Sequence, residues 1–175
     1  ISVLTGLVIL SGLIYSWSLV SLFTPPDPRD EAQQAIANQI SIGDSVGFID
    51  TPWFYSPPLT KMIGYGTTVT REKAVQESNG LISVMKDQQI ASLYPKLFVV
   101  SDYEVDDALR LKDKTDLTTE QTALRDSILK SIAEVEKHYT LKETFKRSFL
   151  GIDASRLPHD MRYQSPRIDL YELRK

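Results

Sequence analysis

The first 23 residues form an apolar segment without a charged side chain, and all 20 basic and 23 acidic residues follow it. As an α-helix, such a segment is about 34 Å long, enough to cross a hydrocarbon core of about 30 Å. Tyr15, Trp17 and Phe23 lie toward its C-terminal end, where aromatic rings favour lipid headgroups. The pattern predicts a transmembrane helix over residues 1–23, with a signal peptide or a buried core helix as the alternatives.

The residues after this segment predict a joint and an orientation. Prolines at 25, 26 and 28 indicate a stiff joint over residues 24–30, followed by a domain over residues 31–175. Between residues 23 and 61 the one basic residue is Arg29, against five acidic residues. Cytoplasmic flanks are usually basic, so we expect the domain on the extracytoplasmic side of the cell membrane. The chain begins with Ile and lacks a basic start, and we therefore expect it to belong to a longer polypeptide.

Hydrophobic periodicity predicts alternating strands and helices in the domain. Apolar runs at 45–50 and 96–101 are typical of buried strands, and alternation over 167–173 is typical of a final strand. An outer strand is expected within 140–152. Apolar positions three and four residues apart predict an amphipathic helix over 28–40 and a long helix opened by Thr118 or Thr119; short helices are expected around 58–63 and over 71–78 and 83–93. The order predicts an α/β fold, a layered domain with a mostly parallel central sheet.

Composition and missing motifs exclude several classes of function. The chain has no cysteine, which excludes disulfides and thiolate metal centres, and its two histidines exclude a multi-histidine site. A net charge of −3 argues against nucleic-acid binding. The phosphate-binding glycine motifs, the zinc-protease motif and the nucleophile-elbow motif are absent from the sequence. Basic residues at 142, 146 and 147 are expected to be solvated surface.

Candidate ligand-binding residues follow the two predicted buried strands and precede the last one. In an open parallel sheet, ligands bind beyond the carboxyl ends of the strands, where loops 50–59 and 101–107 would meet. A third polar segment, residues 157–163, could fold over them. Aromatic faces beside carboxylates suit a sugar, because ring CH groups stack on aromatics while hydroxyls bond to oxygens. The candidates are Trp53, Tyr55, Asp102, Glu104, His159, Asp160 and Tyr163.

Each candidate also has a structural interpretation. Trp53 could cover the core without binding a ligand. The acidic residues at 102, 104, 106 and 107 could hold a hard cation, but caps for the following helix are favoured because EF-hand spacing is absent. The adjacent pair His159–Asp160 could be an acid–base pair, although anchoring of its loop is the favoured interpretation. The residues alone therefore predict neither a catalytic residue nor a metal site.

Three segments together resemble a known family: IGDSVGFIDTPWFYSPPL, YPKLFVVSDYEVDDALRL and LPHDMRYQSPRIDLYELRK. They are similar to the C-terminal extracytoplasmic region of GT-C type polytopic membrane glycosyltransferases, which include dolichyl-phosphate-mannose–protein mannosyltransferase-like and aminoarabinose-transferase-like proteins. The resemblance covers approximately residues 1–175. It implies sugar transfer from a polyprenyl-phosphate donor, by acidic residues upstream of Ile1 and with a divalent cation in some members.

The resemblance gives this chain a supporting role. It implies a non-catalytic cap beside the upstream transmembrane core of the same polypeptide, helping to bind a glycan or protein acceptor or to stabilise the enzyme. No cofactor is expected within the chain itself, and its partners would be the bilayer and the acceptor. Two alternatives remain: a membrane-anchored binding or scaffold domain without enzymatic activity, and a hydrolase using Asp102, Glu104 and His159.

Overall fold

The computed structural model describes residues 2–21, 24, 26–59, 78–85, 94–149, 152–153 and 165–174. Four helices lie in this part of the chain: α1 (Ser2–Ser21), α2 (Pro28–Ala37), α3 (Asp102–Arg110) and α4 (Thr119–His138). Seven strands accompany them: β1 (Val46–Phe48), β2 (Ile82–Val84), β3 (Leu97–Ser101), β4 (Tyr139–Phe145), β5 (Ser148–Phe149), β6 (Ile152–Asp153) and β7 (Ile168–Leu173).

Helix α1 exposes its apolar side chains. Residues Val3–Ser21 have a mean hydropathy of 1.9, and none of the most apolar stretch is buried inside the protein. The described α1 side chains that are partly buried, those of Ser18, Leu19 and Ser21, lie in the last turn. A core helix would bury its apolar face, so the structure argues against that alternative. Length and composition permit membrane crossing, and a signal sequence passes the same test.

The main sheet has the strand order β2-β1-β3-β7-β4. The layered α/β architecture is confirmed, but the prediction of a mostly parallel sheet is wrong. Parallel pairing joins β1 to β2 and to β3, whereas β7 runs antiparallel to both β3 and β4. A second, two-stranded sheet pairs β5 with β6 antiparallel, so the described pairs are mostly antiparallel. The main sheet is mixed because β7 lies between β3 and β4 and runs in the opposite direction to both.

Two apolar cores cover the two faces of the main sheet. Helix α2 packs on one face through Ala32 and Ile36, and helices α3 and α4 pack on the other through Val105 and Val135. Strand β4 contributes to both cores, because its register shifts between Leu141 and Glu143. A bulge of this kind reverses the alternation of side chains. The strand residues of the first core are Val46, Phe48, Ile82, Leu97, Val99, Phe145, Ile168 and Leu170, and those of the second include Phe98, Val100 and Tyr139.

The helix starts agree with the capping signals in the sequence. Asp27 accepts a hydrogen bond from the Arg29 backbone N–H at the start of α2, so this helix begins inside the predicted joint over 24–30. Thr118 and Gln121 form a capping box at α4. Ser101 and Glu104 form another at α3, so this helix begins at Asp102, inside the segment 101–107 that the sequence predicts as a loop. Each cap satisfies backbone donors that the first helical turn leaves unpaired.

Several other expectations have a clear outcome. The strands expected within 45–50, 96–101 and 167–173 are confirmed. The outer strand expected within 140–152 is also found, since β4 lies at the sheet edge, although it begins one residue earlier, at Tyr139. The helix expected over 83–93 is wrong at its start, where β2 pairs in parallel with β1. Residues 86–93 and nearly all of 60–78 lie outside the described residues. Helix α2 ends at Ala37, three residues before the expected 40.

The absence of a side chain at Gly47 leaves room for the ring of Phe98 on the neighbouring strand. A Cβ atom at Gly47 would lie 2.6 Å from Phe98 Cε2 and 3.0 Å from Pro95 Cγ. Because both neighbours are buried, Gly47→Ala is expected to lower the free energy of unfolding by about 1–3 kcal/mol. Urea unfolding followed by circular dichroism measures this loss. Gly12→Ala is the control, since nothing lies within 4 Å of a Cβ there; equal stability of the two variants would contradict the packing described.

Candidate functional site

A crevice of about 340 Å³ opens at the carboxyl ends of the three parallel strands. Asp50 follows β1, Met85 follows β2, and Tyr103 and Glu104 follow β3. The chain leaves β1 for β2 on one side and later places β3 on the other side of β1. Ligands bind in open α/β sheets at such a reversal of strand order. The crevice therefore occupies the position at which this type of fold forms binding sites.

Aromatic rings from the loop after β1 and from the first turn of α3 form a cluster at the crevice. The rings of Tyr55 and Tyr103 are nearly parallel, at an interplanar angle of 3° and a centroid distance of 6.0 Å. Phe54 meets both of them edge-on, at 5.1 Å from Tyr55 and 5.8 Å from Tyr103. Pairs of this geometry contribute roughly 0.5–1.5 kcal/mol each beyond the area they bury. The cluster joins the loop after β1 to the start of α3.

Helix α2 holds the aromatic loop in place. The Arg29 Nη1 group donates to the Phe54 carbonyl oxygen at 2.6 Å, and Gln33 Nε2 donates to the Pro58 carbonyl at 2.8 Å. Within the loop, the Ser56 backbone N–H donates to the Trp53 carbonyl at 2.9 Å. Three prolines between residues 52 and 58 limit the freedom of the backbone further. The loop is therefore fixed before any ligand arrives.

Glu104 connects the ends of β1 and β3. Its Oε2 atom accepts from the Ser101 backbone N–H at 2.9 Å, and its Oε1 atom accepts from the Asp50 backbone N–H at 3.4 Å. Burial raises the pKa of Glu104 to about 8, and the nearby Asp50 charge acts in the same direction, while the two backbone hydrogen bonds oppose the shift. The group can therefore carry a proton at neutral pH and offer it to a ligand.

Helix α4 supplies the remaining wall of the crevice. Leu124, Ser127, Ile128 and Ser131 lie on one helical face and line it. The described lining contains the carboxyl groups of Asp50 and Glu104 and neither Lys nor Arg. A phosphate group would meet no cation there, whereas hydroxyl groups would meet carboxyl oxygens and serine hydroxyls. The crevice lining is therefore better suited to a ligand with hydroxyl groups than to one with phosphate groups.

Of the seven residues predicted for the site, some line the crevice, some lie elsewhere, and some lie outside the described residues. Tyr55 and Glu104 both line the crevice. Trp53 is 45% exposed and meets Phe54 edge-on, outside the lining. Asp102 is 1% exposed at the start of α3 and is also outside the lining. His159, Asp160 and Tyr163 lie outside the described residues, and so their place near the site stays a prediction.

Sequence reasoning did not select Tyr103 or the α4 wall. Tyr103 lies between two acidic residues that were selected, and its aromatic character was the available signal. Leu124 and Ile128 are among the apolar positions that predict the long helix, and both line the crevice, where the Leu124 side chain is 65% exposed. Ser127 and Ser131 are four residues apart, on the same helical face as Leu124 and Ile128. This mixture of polar and apolar residues on one face was the available indication that the face is not wholly buried.

A metal-ligand cluster and similarity to known proteins are two further possible indications of function. Within the described part of the chain, no group of three or more His, Asp or Glu residues is close enough to hold a metal ion. The capping interactions of Ser101 and Glu104 agree with the interpretation of the acidic cluster as caps. No protein-family model matches the chain, and no curated protein or solved structure matches it either.

Proposed function

We propose that this chain is the membrane-tethered C-terminal extracytoplasmic domain of a GT-C type glycosyltransferase that uses a polyprenyl-phosphate sugar donor. The domain is non-catalytic, and its crevice binds the glycan portion of the acceptor. The catalytic residues, and any divalent cation that assists them, belong to the transmembrane part of the full-length protein. The crevice between Tyr55, Tyr103 and Glu104 is the observation that carries the proposal.

The tether is supported by the exposure of α1. Three of its apolar side chains, those of Leu10, Leu13 and Trp17, are 54%, 63% and 79% exposed. Apolar side chains exposed to water cost free energy in proportion to their area, and a bilayer removes that cost. The acidic flank after the helix favours the extracytoplasmic side for the domain.

Acceptor binding is supported by the charge and shape of the crevice. Tyrosine edges offer apolar contact, while Asp50, Ser127 and Ser131 offer acceptors and hydroxyl donors. The absence of a cation from the described lining disfavours the phosphate of a lipid-linked donor. A sugar ring combines apolar CH faces with hydroxyl groups, so it complements such a wall better than a phosphate does.

Substitution of the aromatic residues tests glycan binding. The full chain in lipid nanodiscs is titrated with methyl glycosides of mannose, galactose and glucosamine, and contact is measured by saturation-transfer difference NMR. We expect transfer to the CH protons of at least one sugar, and a loss of about fivefold or more in affinity for Tyr103→Ala, because each lost contact of this kind contributes roughly 1 kcal/mol.

Two further variants separate binding from folding. Tyr103→Phe keeps the ring and is expected to retain binding. Tyr94→Ala removes a ring that is 48% exposed and precedes β3, at the end of this strand opposite to the crevice, and this variant is expected to bind normally. Absence of saturation transfer from every glycoside to the native chain, or equal loss in Tyr94→Ala and Tyr103→Ala, would contradict the proposal.

The second candidate function is a membrane-anchored binding or scaffold domain without an attached enzyme. The same exposed α1 and the same crevice support it. The sequence upstream of Ile1 distinguishes the two functions. Many further hydrophobic spans with an acidic first loop favour the transferase, and a short cytoplasmic start favours the anchor.

A further inference from the structure

The end of α1 lies close to the start of α2. The backbone N–H and the hydroxyl group of Thr24 donate to the carbonyl oxygens of Ser21 and Val20, so Thr24 remains bonded to the last turns of α1. Four residues lead from Thr24 to Pro28, the first residue of α2, and a chain of four residues spans at most about 14 Å. The first turn of α2 is therefore within a short distance of the end of the apolar helix.

The strand directions show which end of the main sheet this is. Arg29, in the first turn of α2, donates to the Phe54 carbonyl oxygen in the loop after β1, so α2 starts at the carboxyl end of β1. Phe145 pairs with Ile168, which pairs with Ser101, and β4 therefore ends where β3 ends. Strand β5, which follows β4 after two residues, approaches α1. The end of the sheet that holds the crevice, here called the crevice end, is thus the end next to α1.

Trp53 is exposed at the crevice end, on a loop that holds it in place. Its side chain is 45% exposed, lies outside the crevice lining and meets Phe54 edge-on at a centroid distance of 6.3 Å. Its carbonyl oxygen accepts from the Ser56 backbone N–H, and its own backbone N–H donates to the Ser56 hydroxyl at 3.3 Å. A side chain on a fixed loop loses less conformational entropy when it binds. Trp53 is therefore prepared for contact with a surface outside the domain.

The charges around Trp53 indicate the kind of surface. Asp27 forms an ion pair with Arg29 at 2.5 Å, whereas Asp30 and Asp50 are exposed at the same end of the domain. These carboxylates would be repelled by an anionic lipid surface. A tryptophan ring favours the headgroup region without needing a charge on either side. Zwitterionic headgroups therefore suit the crevice end better than anionic ones.

We propose that Trp53 is an interfacial anchor, which inserts into the headgroup region of a zwitterionic phospholipid bilayer and holds the crevice end of the domain at the membrane surface. The end of a spanning helix lies at that depth, and the Trp53 loop is bonded to the helix that follows α1. The anchor thus extends the membrane contact of α1 and brings the crevice close to the bilayer. The inference rests on the insertion of α1 proposed above.

The fluorescence of a single tryptophan tests this contact. The Trp17→Phe chain, in which Trp53 is the remaining tryptophan, is reconstituted in phosphatidylcholine vesicles that contain a headgroup nitroxide lipid. We expect strong quenching of Trp53. The control chain Trp17→Phe/Trp53→Phe/Tyr94→Trp carries the indole before β3, at the other end of the sheet. The five residues of β3 span about 16 Å, so quenching of the control should be at least about twofold weaker.

A second reporter separates anchoring from mere proximity. The chain has no cysteine, and a fluorophore on Ile42→Cys, at an exposed position between α2 and β1, transfers energy to acceptor lipids according to its height above the bilayer. Trp53→Ser is expected to raise this transfer, because a domain released from the surface tilts toward the bilayer. Leu141→Ser removes an apolar side chain that is 52% exposed on β4; it is the matched control and should leave the transfer unchanged.

The outcomes distinguish the anchor from the membrane span. Equal quenching of the two tryptophan reporters, or no quenching of Trp53 in a chain that stays with the vesicles, overturns the anchor while the span stands. A response of Trp53 to methyl glycosides but not to the nitroxide lipid also overturns it, and assigns the ring to glycan binding. Unchanged energy transfer in Trp53→Ser overturns the anchoring role. Failure of the chain to remain with the vesicles overturns the span, and the anchor with it.

Discussion

Replacing Leu10 and Leu13 with lysine is expected to release the chain from the membrane fraction. Each charge near the centre of a spanning helix costs about 2.5–3.5 kcal/mol on insertion scales, so the double variant loses roughly 5–7 kcal/mol of insertion free energy. Both leucines are more than half exposed, and therefore the domain itself should keep its fold. Alkaline extraction of membranes followed by immunoblotting measures the loss.

The conservative variant Leu10→Val/Leu13→Val is the control and is expected to remain membrane-bound. Circular dichroism and urea unfolding of Leu10→Lys/Leu13→Lys report whether the domain is intact. A chain that stays in the membrane fraction despite two lysines would contradict insertion. A chain that unfolds would indicate that α1 packs as part of the protein core.

Glu104→Gln is expected to remove the largest pH dependence in the stability of the domain. The pKa of Glu104 is raised from 4.5 to about 8, so the folded state holds a proton that the unfolded state has lost between these values. The contribution of this group to stability is complete below about pH 4.5 and is lost as the pH rises through 8. Relative to Glu104→Gln, the native chain should lose on the order of 3 kcal/mol between pH 5 and pH 8, at about 1.4 kcal/mol per pH unit.

Urea unfolding of both chains across this pH range measures the difference. Glutamine at this position still offers an oxygen to the Ser101 backbone N–H, so the variant should retain the cap of α3. Asp107→Asn, at an exposed position of the same helix, is the control and should follow the native profile. Parallel pH profiles for Glu104→Gln and the native chain would show that the carboxyl group titrates normally.

The sequence predicted the elements whose signals are local. Thr118 and Gln121 carry cap signals within four residues of α4, and this helix begins where expected. Helix α3 begins earlier than expected, at Asp102, because Ser101 and Glu104 cap it directly after β3. The direction of β7 has no local signal, because alternation of Ile168 and Leu170 is the same in parallel and antiparallel strands. The strand Ile82–Val84 was missed because three residues are too short to show a period.

The crevice could be predicted only in part, since it depends on tertiary position. The rule that ligands bind beyond the carboxyl ends of strands located Tyr55 and Glu104 correctly at one edge. It could not show that Asp102 would be buried beside Arg167 while Glu104 reached across to β1. The contribution of α4 depends on how that helix crosses the sheet, which no residue spacing within Leu124–Ser131 reveals.

The chain contains a natural reporter for the position of its first helix. The chain has two tryptophans: Trp17 lies in the apolar helix α1, and Trp53 lies in the loop after β1. In the Trp53→Phe chain, reconstituted in vesicles, we predict that brominated lipids quench Trp17 fluorescence strongly and that aqueous iodide quenches it weakly. Strong quenching by iodide, with no response to brominated lipids, would place the helix in water and contradict the membrane tether.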